Sequence, residues 1–454
     1  MSRKYETYKP IRSSVYKEAP IDWNRYRIKD TVDKNTYYPV GDGDHGSIKP
    51  EMYQEVGIPY IRVQNLTWHG EVLIDGIVCI GEDVHYSNRK SILYPGDILI
   101  AKTGATVGKI GIVPDSIKEA NTTSSVAKLT VQKNRFNPKF ILYCFQSRAL
   151  QDQIWLEASQ KSAQPGFNID DLIVFEFLAP DLNGQLKVVE YLDYQTTIID
   201  QLILRKERLL ELLKEKRQAV INEAVTKGLN PKAKMKDSGI EWLGEVPEHW
   251  DVTKMKFIAT ITRGAILRPV DEPAYFDDNG EWTYLNISDA TKCDKYLYEG
   301  KLRLSDLGST KSARVYPNNL ILTASATIGK PFINKIPVCV HDGFIPITNV
   351  ICNINYLYHY LRNPQIYIGL GKVNTQKNIY LDEVKDMFVT QPPNDEQAEI
   401  VSFLEQFEES NNELLQQFEM QIEKLKEYRQ SLISEAVTGK IDVREWQKPE
   451  PLLS

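Results

Sequence analysis

The chain has 454 residues, enough for two or three domains, and its 42% hydrophobic and 26% charged residues are those of an ordinary soluble globular protein. No apolar run is long enough to cross a bilayer and the opening MSRKYETYKP lacks an apolar signal core, so a cytoplasmic protein with no membrane contact is expected. The net charge of −6 lies wholly in residues 397–454, which hold 6 basic and 12 acidic side chains (6 − 12 = −6); global charge therefore neither supports nor excludes a nucleic-acid partner.

In chain order, the first segment with a strand-like pattern is IPYIRVQNLT (58–67), which alternates like a half-buried strand. ILIAKTGATVGKIGIV (98–113) follows and raises the possibility of a phosphate loop. That pattern fails: only Ala105, Thr106 and Val107 separate Gly104 from Gly108, Ile110 follows Lys109, and the next residues read as a strand rather than a helix. Strand, glycine turn, strand is the better reading. SAQPGFNIDDL (162–172) is then a compact polar loop after a helix-like stretch. Cys79, Cys144, Cys293, Cys339 and Cys352 form no CxxC pair and read as reduced, mostly buried small hydrophobes.

Residues 185–226, QLKVVEYLDYQTTIIDQLILRKERLLELLKEKRQAVINEAVT, read as one long helix. Ile199, Ile203, Leu210, Leu213, Val220 and Ala224 make an apolar stripe, and KGLNP stops the helix. About 40 residues would span ~60 Å at ~1.5 Å per residue. A linker rich in Pro, Gly and charge (229–249) leads to a second copy of everything. EWTYLNISDAT (281–291) matches 58–67, YPNNLILTASATIGK (316–330) matches 94–109 with one deletion, and NTQKNIYLDEV (374–384) matches 162–172. Residues 397–438 match 185–226 without a gap at an offset of 212, with Gln185/Gln397, Leu202/Leu414, Glu211/Glu423, Lys214/Lys426, Arg217/Arg429, Gln218/Gln430 and EAVT identical. Leu415, Phe418, Ile422, Leu425, Leu432 and Ala436 give the matching stripe, with Asn411 and Lys206 as polar exceptions.

The expected fold is α+β: two mixed α/β domains, each followed by a long helix, the two helices pairing as an antiparallel coiled coil. The divisions are a first domain at 1–182, a helix at 183–228, a linker at 229–249, a second domain at 250–395, a helix at 396–440 and a tail at 441–454. A bundle inside a globular core is the plainer alternative for the helices.

EKRQAVINEAVTKGLNPKAKMKDSGIEWLGEVPEHWDV (215–252), NDEQAEIVSFLEQ (394–406) and the duplicated EAVT helices resemble the specificity subunit of a type I restriction–modification system. The resemblance spans essentially the whole chain, though YKPIRSSVYKEAPIDW (8–23) is only a degraded version of the linker motif. It implies that each domain is a target-recognition domain reading one half of a split double-stranded DNA site, with the helices as spacer and docking element. It implies partners in methyltransferase subunits, two of them, and restriction subunits. S-adenosylmethionine, ATP and Mg²⁺ would sit on those partners, leaving no cofactor here. A specificity subunit of a fused type II restriction–methylation enzyme, or a coiled-coil scaffold without a DNA role, are the rival readings.

Catalytic signals are missing. QPPND (391–395) lacks the aromatic that would follow in an adenine-methyltransferase tetrapeptide, and the histidines at 45, 69, 85, 249, 341 and 359 show no paired metal spacing. Three sets of candidate DNA contacts remain. The glycine turn offers Lys102, Thr103, Gly104, Thr106 and Lys109, with backbone amides freed at Gly104 and Gly108, and in the second copy Thr323, Ser325, Thr327 and Lys330; the same pattern suits a hairpin turn needing positive φ. The loops offer Lys161, Ser162, Gln164 and Asn168, and Asn374, Gln376, Lys377 and Asn378, or else they are simply solvated. Arg62, Gln64 and Asn65, with Asn286 and Ser288, form the third set. Lys206, Arg217 and Arg429 are expected to pair with glutamates across the helix seam, and Glu405, Glu408, Glu409 and Glu413 to face solvent or a methyltransferase.

Overall fold

The computed structural model describes residues 4–160, 165–269, 272–325, 329–368, 370 and 378–449. They fall into two compact units, Met1–Glu207 with Met420–Ser454, and Arg208–Glu419. Each unit is one mixed domain plus a stretch of both long helices, which run Leu182–Lys227 and Asn394–Val437.

The first unit holds two four-stranded sheets, in the orders Val78–Ile80, Ile58–Ile61, Ala120–Thr122, Ile92–Leu93 and Val40–Asp42, Val126–Leu129, Ile98–Ala101, Ile110–Ile112. Ile98 to Ala101 are all fully buried, which explains why they read as an unbroken apolar run rather than an alternating one. The expected ten-residue alternating strand shortens to Ile58–Ile61; Val63–Asn65 is a 3₁₀ turn instead. Pro138–Gln146 forms a helix because Pro138 presets its first turn and Asn137 Oδ1 accepts from the amides of Lys139 and Phe140.

The second unit repeats the plan. Its sheets run Thr260–Ile261, Phe344–Thr348, Leu320–Thr323, Pro331–Asn334, Tyr296–Leu297 and Leu302–Leu304, Trp282–Leu285, Val338–Val340, Ala313–Val315. Ile58–Ile61 pairs in parallel with Ala120–Thr122, and its counterpart Trp282–Leu285 pairs in parallel with Val338–Val340. The second expected alternating strand also shortens: Asn286 and Ser288 belong to the start of the helix Ile287–Lys292, where Asp289 accepts from the Asn286 amide.

The degraded N-terminal motif folds like the linker it resembles. Tyr8–Pro10 pairs with Glu18–Pro20, and Met235–Asp237 with Glu245–Pro247, each hairpin leading to a fully buried tryptophan, Trp23 or Trp250. Gly439 and Gly228, at φ of 72° and 75°, end the long helices against those tryptophans.

The helices pair antiparallel in both units. In the first, Asp200 holds Arg429 (2.8 Å) and Lys206 donates to Gln421 (2.6 Å). In the second, Arg217 holds Glu408 (2.6 Å), while Gly228 lies beside Glu396. All twelve residues of the apolar stripes are buried or half-buried. Asn411, the polar exception, is buried with its Nδ2 unpartnered.

Candidate nucleic-acid interface

The glycine turn is a hairpin. Ile98–Ala101 pairs antiparallel with Ile110–Ile112, and Gly104 and Gly108 take φ of 80° and 91°, which side chains resist. The amides expected to be free are spent. Gly104 N–H donates to Pro165 O (2.9 Å) and Gly108 N–H to Ala101 O (3.0 Å), because closing a turn this tight uses the backbone groups it brings inward.

The same bonds join two candidate sets that are far apart in sequence. Thr103 bridges Gly166, and Phe167 N–H donates to Lys102 O (3.0 Å), laying the post-helix loop on the turn. In the second unit Ile379 N–H donates to Ala324 O (3.0 Å) and Gly329, at φ of 74°, donates its N–H to Thr323 O (3.0 Å). Lys161, Ser162, Gln164, Thr327, Asn374, Gln376 and Lys377 lie outside the described residues.

The individual side chains divide into spent and available. Lys102 Nζ sits 2.5 Å from Asp42 Oδ2. Burial pushes the Asp42 carboxyl up, but Lys102 and His45 outweigh it and hold it below its ordinary value. Lys330 Nζ caps the carbonyls of Thr291 (2.9 Å) and Cys293 (2.5 Å) at the end of the helix Ile287–Lys292, so its charge serves the fold. Thr323 is buried and its Oγ1 accepts from the Lys330 amide. Asn65 is buried too, accepting from Arg62 N–H (2.9 Å) and donating to Leu73 O (3.4 Å). Exposed Asn168 is the N-cap of the helix Ile169–Leu172 in a capping box with Asp171, and half-buried Thr103, Thr106, Lys109, Ser325 and Asn378 are available. Arg62 stacks over Tyr53 at 5.3 Å with its Nε unpartnered.

Two features of the first unit escape the sequence reading, the first of them beside the glycine turn. Trp68, 47% exposed, lies against Gly108. Tyr37, Tyr38, Arg89 and Lys90 gather into one exposed group through cation–π contacts. The adjacent pairs YY and RK in polar surroundings were the signal available for the second.

Each domain is clasped to its helices by matching bonds. Gln185 Oε1 accepts from Asn137 N–H and its Nε2 donates to Pro180 O; Gln397 Oε1 accepts from Asn353 N–H and its Nε2 donates to Pro392 O. Gln430 donates to Gln146 O, and Gln218 to Arg362 O. The expected seam pairs are present with altered partners. Arg217 meets a glutamate, but Arg429 meets Asp200 and Lys206 meets Gln421. Of the acidic run, Glu409 and Glu413 face solvent, whereas Glu405 holds Lys295 (2.5 Å) and Glu408 is enclosed by Arg217, Arg362 (both 2.6 Å) and His359 (3.6 Å). Burial pushes the Glu408 carboxyl up, but Arg362 and Arg217 outweigh it and hold it below its ordinary value.

No helix among the described residues is long and apolar enough to cross a membrane. Residues 20–213 and 247–424 match the family model described as the type I restriction modification DNA specificity domain. The chain is 22% identical to a putative type I restriction enzyme specificity subunit of Methanocaldococcus jannaschii, covering 94% of this chain and 95% of that one. It is 23% identical to the EcoBI specificity subunit of Escherichia coli, over 79% and 76% of the two chains. Among solved structures it shares its fold with a chain from a type I R-M system described for its complex assembly and conformational transition (TM-score 0.73, 15% identity, 94% and 100% covered). It also matches the HsdS subunit of Thermoanaerobacter tengcongensis (TM-score 0.55, 15% identity, 95% and 100% covered).

Proposed function

Because the chain belongs to the family of type I restriction–modification DNA specificity subunits, we propose that it reads a split, asymmetric DNA site, one half through each unit. The observation that carries this reading is the repeated build: two domains of one plan, clasped by the same glutamine bonds to helices that both units share. Two readers of unlike surface suit two unlike half-sites, and the shared helices suit a fixed gap between them.

As a specificity subunit the chain recognises DNA rather than transforming it. Adenine-N6 methylation with S-adenosylmethionine falls in this reading to methyltransferase subunits, two per chain to match the two units, and ATP- and Mg²⁺-dependent cutting to restriction subunits. The glycine turn with its docked loop is the proposed reading surface of each unit, with Thr103, Thr106, Lys109 and Asn168 foremost in the first and Ser325 and Asn378 in the second.

The test exchanges residues 250–393 for the corresponding domain of another specificity subunit and sequences the methylome of cells carrying the complete complex. One half-site should change while the other half and the gap persist. Changes in both halves would sink the modular reading.

A further inference from the structure

In the first unit, Tyr37 and Tyr38 are 64% and 36% exposed. Tyr38 takes φ of 53°, a conformation a tyrosine adopts only when its surroundings enforce it. The enforcement is visible: its ring lies directly on Gly41, where any Cβ would strike it. The Arg89 guanidinium stands 5.9 Å from the centre of the Tyr37 ring, and Lys90 Nζ 5.3 Å from that of Tyr38. Buried Lys128 approaches the Tyr38 ring as well, at 5.9 Å, with its Nζ anchored on Ile92 O (2.7 Å). Two exposed cations are thus held on two exposed rings.

The segment bearing those cations is fastened from below. His85 is fully buried between Asn121 and Glu119, and Asn121 in turn donates to Ser91 Oγ (2.7 Å) and Asn88 O (3.2 Å). Ser47 Oγ donates to Asn88 Oδ1 (2.8 Å). Several nearby carboxylates are engaged elsewhere: Asp33 with Asn35 and Thr36, Asp42 with Lys102 and His45, Asp44 with the amides of Gly46, Ser47 and Ile48, Asp97 with Tyr94 N–H and Thr130, Glu119 with His85. Among the described residues neither Arg89 nor Lys90 makes an ion pair. A protein that positions two cations this firmly and leaves them unneutralised has built half of an anion contact.

The geometry points to a phosphate-gripping ledge, Tyr37–Tyr38–Arg89–Lys90, that holds the DNA backbone beside the half-site read by the first unit. The ledge and Lys102 are carried by opposite faces of one strand, Val40–Asp42: Gly41 supports Tyr38 on the face shared with Lys128, and its neighbour Asp42 holds Lys102 on the other. Backbone rather than base is the fit, since both cations lie across ring faces on an open ledge. A base edge would require donors converging at the floor of a groove. The inference rests on the DNA-reading function proposed above.

The test measures duplex binding by the complete complex carrying Arg89→Gln and Lys90→Gln together, across a salt series. Removing two phosphate contacts should lower the slope of log K against log salt by about 1.8, at ~0.9 per contact. Affinity should fall by the same factor for target and scrambled duplexes, and the methylated sequence should not change. Tyr37→Leu, which keeps both charges, should give a smaller loss. An unchanged slope overturns the ledge while leaving the specificity function standing, and so does a changed half-site sequence, which would make these residues base readers. If the unaltered complex fails to prefer its target duplex, the function itself falls.

Discussion

The two units hold their domains to the same helices, and what they share differs in kind from what they do not. The shared bonds run from a glutamine to a backbone group: Gln185 and Gln397 to an amide and a proline carbonyl, Gln430 and Gln218 to the carbonyl at the end of a helix. The divergent ones run between side chains. Six residues beyond the capping Asn137, Tyr143 meets Asp193 and Thr196. Six beyond the capping Asn353, His359 lies 3.6 Å from Glu408 with both ring nitrogens unpartnered, and Glu408 instead binds Arg217 and Arg362. A bond to backbone needs only one side chain to be kept, because every residue supplies the carbonyl. A side-chain pair needs two coordinated changes, so after a duplication it drifts first.

The largest expected effect comes from giving the second unit the first unit's residue. Glu408→Thr, Thr being what stands at the matching position 196, leaves Arg217 and Arg362 facing each other with no counter-charge. Removing one partner of a buried pair costs ~3–5 kcal/mol, and with side chains 24% and 20% exposed solvent reduces this to about 3 kcal/mol. Hydrogen exchange of the intact chain should show peptides from Ile354–Leu361 losing protection while those from Pro138–Gln146 keep theirs. Equal loosening in both units would break the contrast.

The shared clasps should behave alike. Gln185→Ala and Gln397→Ala each strand buried backbone groups, at about 2 kcal/mol. Each should loosen its own unit by a similar amount in the same exchange experiment. A twofold difference in the free energies would mean that the matching bonds are not equivalent.

This division also explains what could be read from the sequence. The helices, their stripe, the glycine turn and the repeat were legible because they follow periodicity and identity along the chain. The clasping roles of Gln185 and Gln397 were visible only as identities, since their partners Asn137 and Asn353 lie 48 and 44 residues away. The docking of the post-helix loop on the turn is invisible for the same reason: it is made by backbone groups of Lys102, Pro165 and Phe167, which carry no sequence signal. Lys102 and Lys330 were attractive as phosphate donors because nothing in their neighbourhoods shows Asp42 or the carbonyl of Cys293 nearby in space. Glu408 was misread for the opposite reason. Flanked by other acids, it looks solvated until folding brings Arg362 against it.

The finest contrast is in acid. Burial pushes His359 down to about 3, so the folded second unit refuses a proton that the unfolded chain takes up near its ordinary value of ~6.5. The unfolded state then binds more protons as pH falls from ~6.5 towards 3, and stability drops through that window. Glu408 adds to the loss lower down: burial raises it, Arg362 and Arg217 outweigh that, and its contribution disappears as pH falls below the ordinary carboxylate range. Each unit carries one further histidine that burial pushes down, His69 in the first and His341 in the second. Tyr143, at the place of His359, is raised by burial and releases no proton in this range. Between pH 6.5 and 5 His359 should therefore cost the second unit about 1.5 kcal/mol, the slope rising from half of ~1.36 kcal/mol per pH unit at pH 6.5 to nearly the whole of it at pH 5. Exchange protection at the two pH values measures it, and His359→Gln should bring the two slopes together. Parallel slopes in the unaltered chain would show that His359 takes its proton without opening the fold, and the charge cluster would then not separate the units at all.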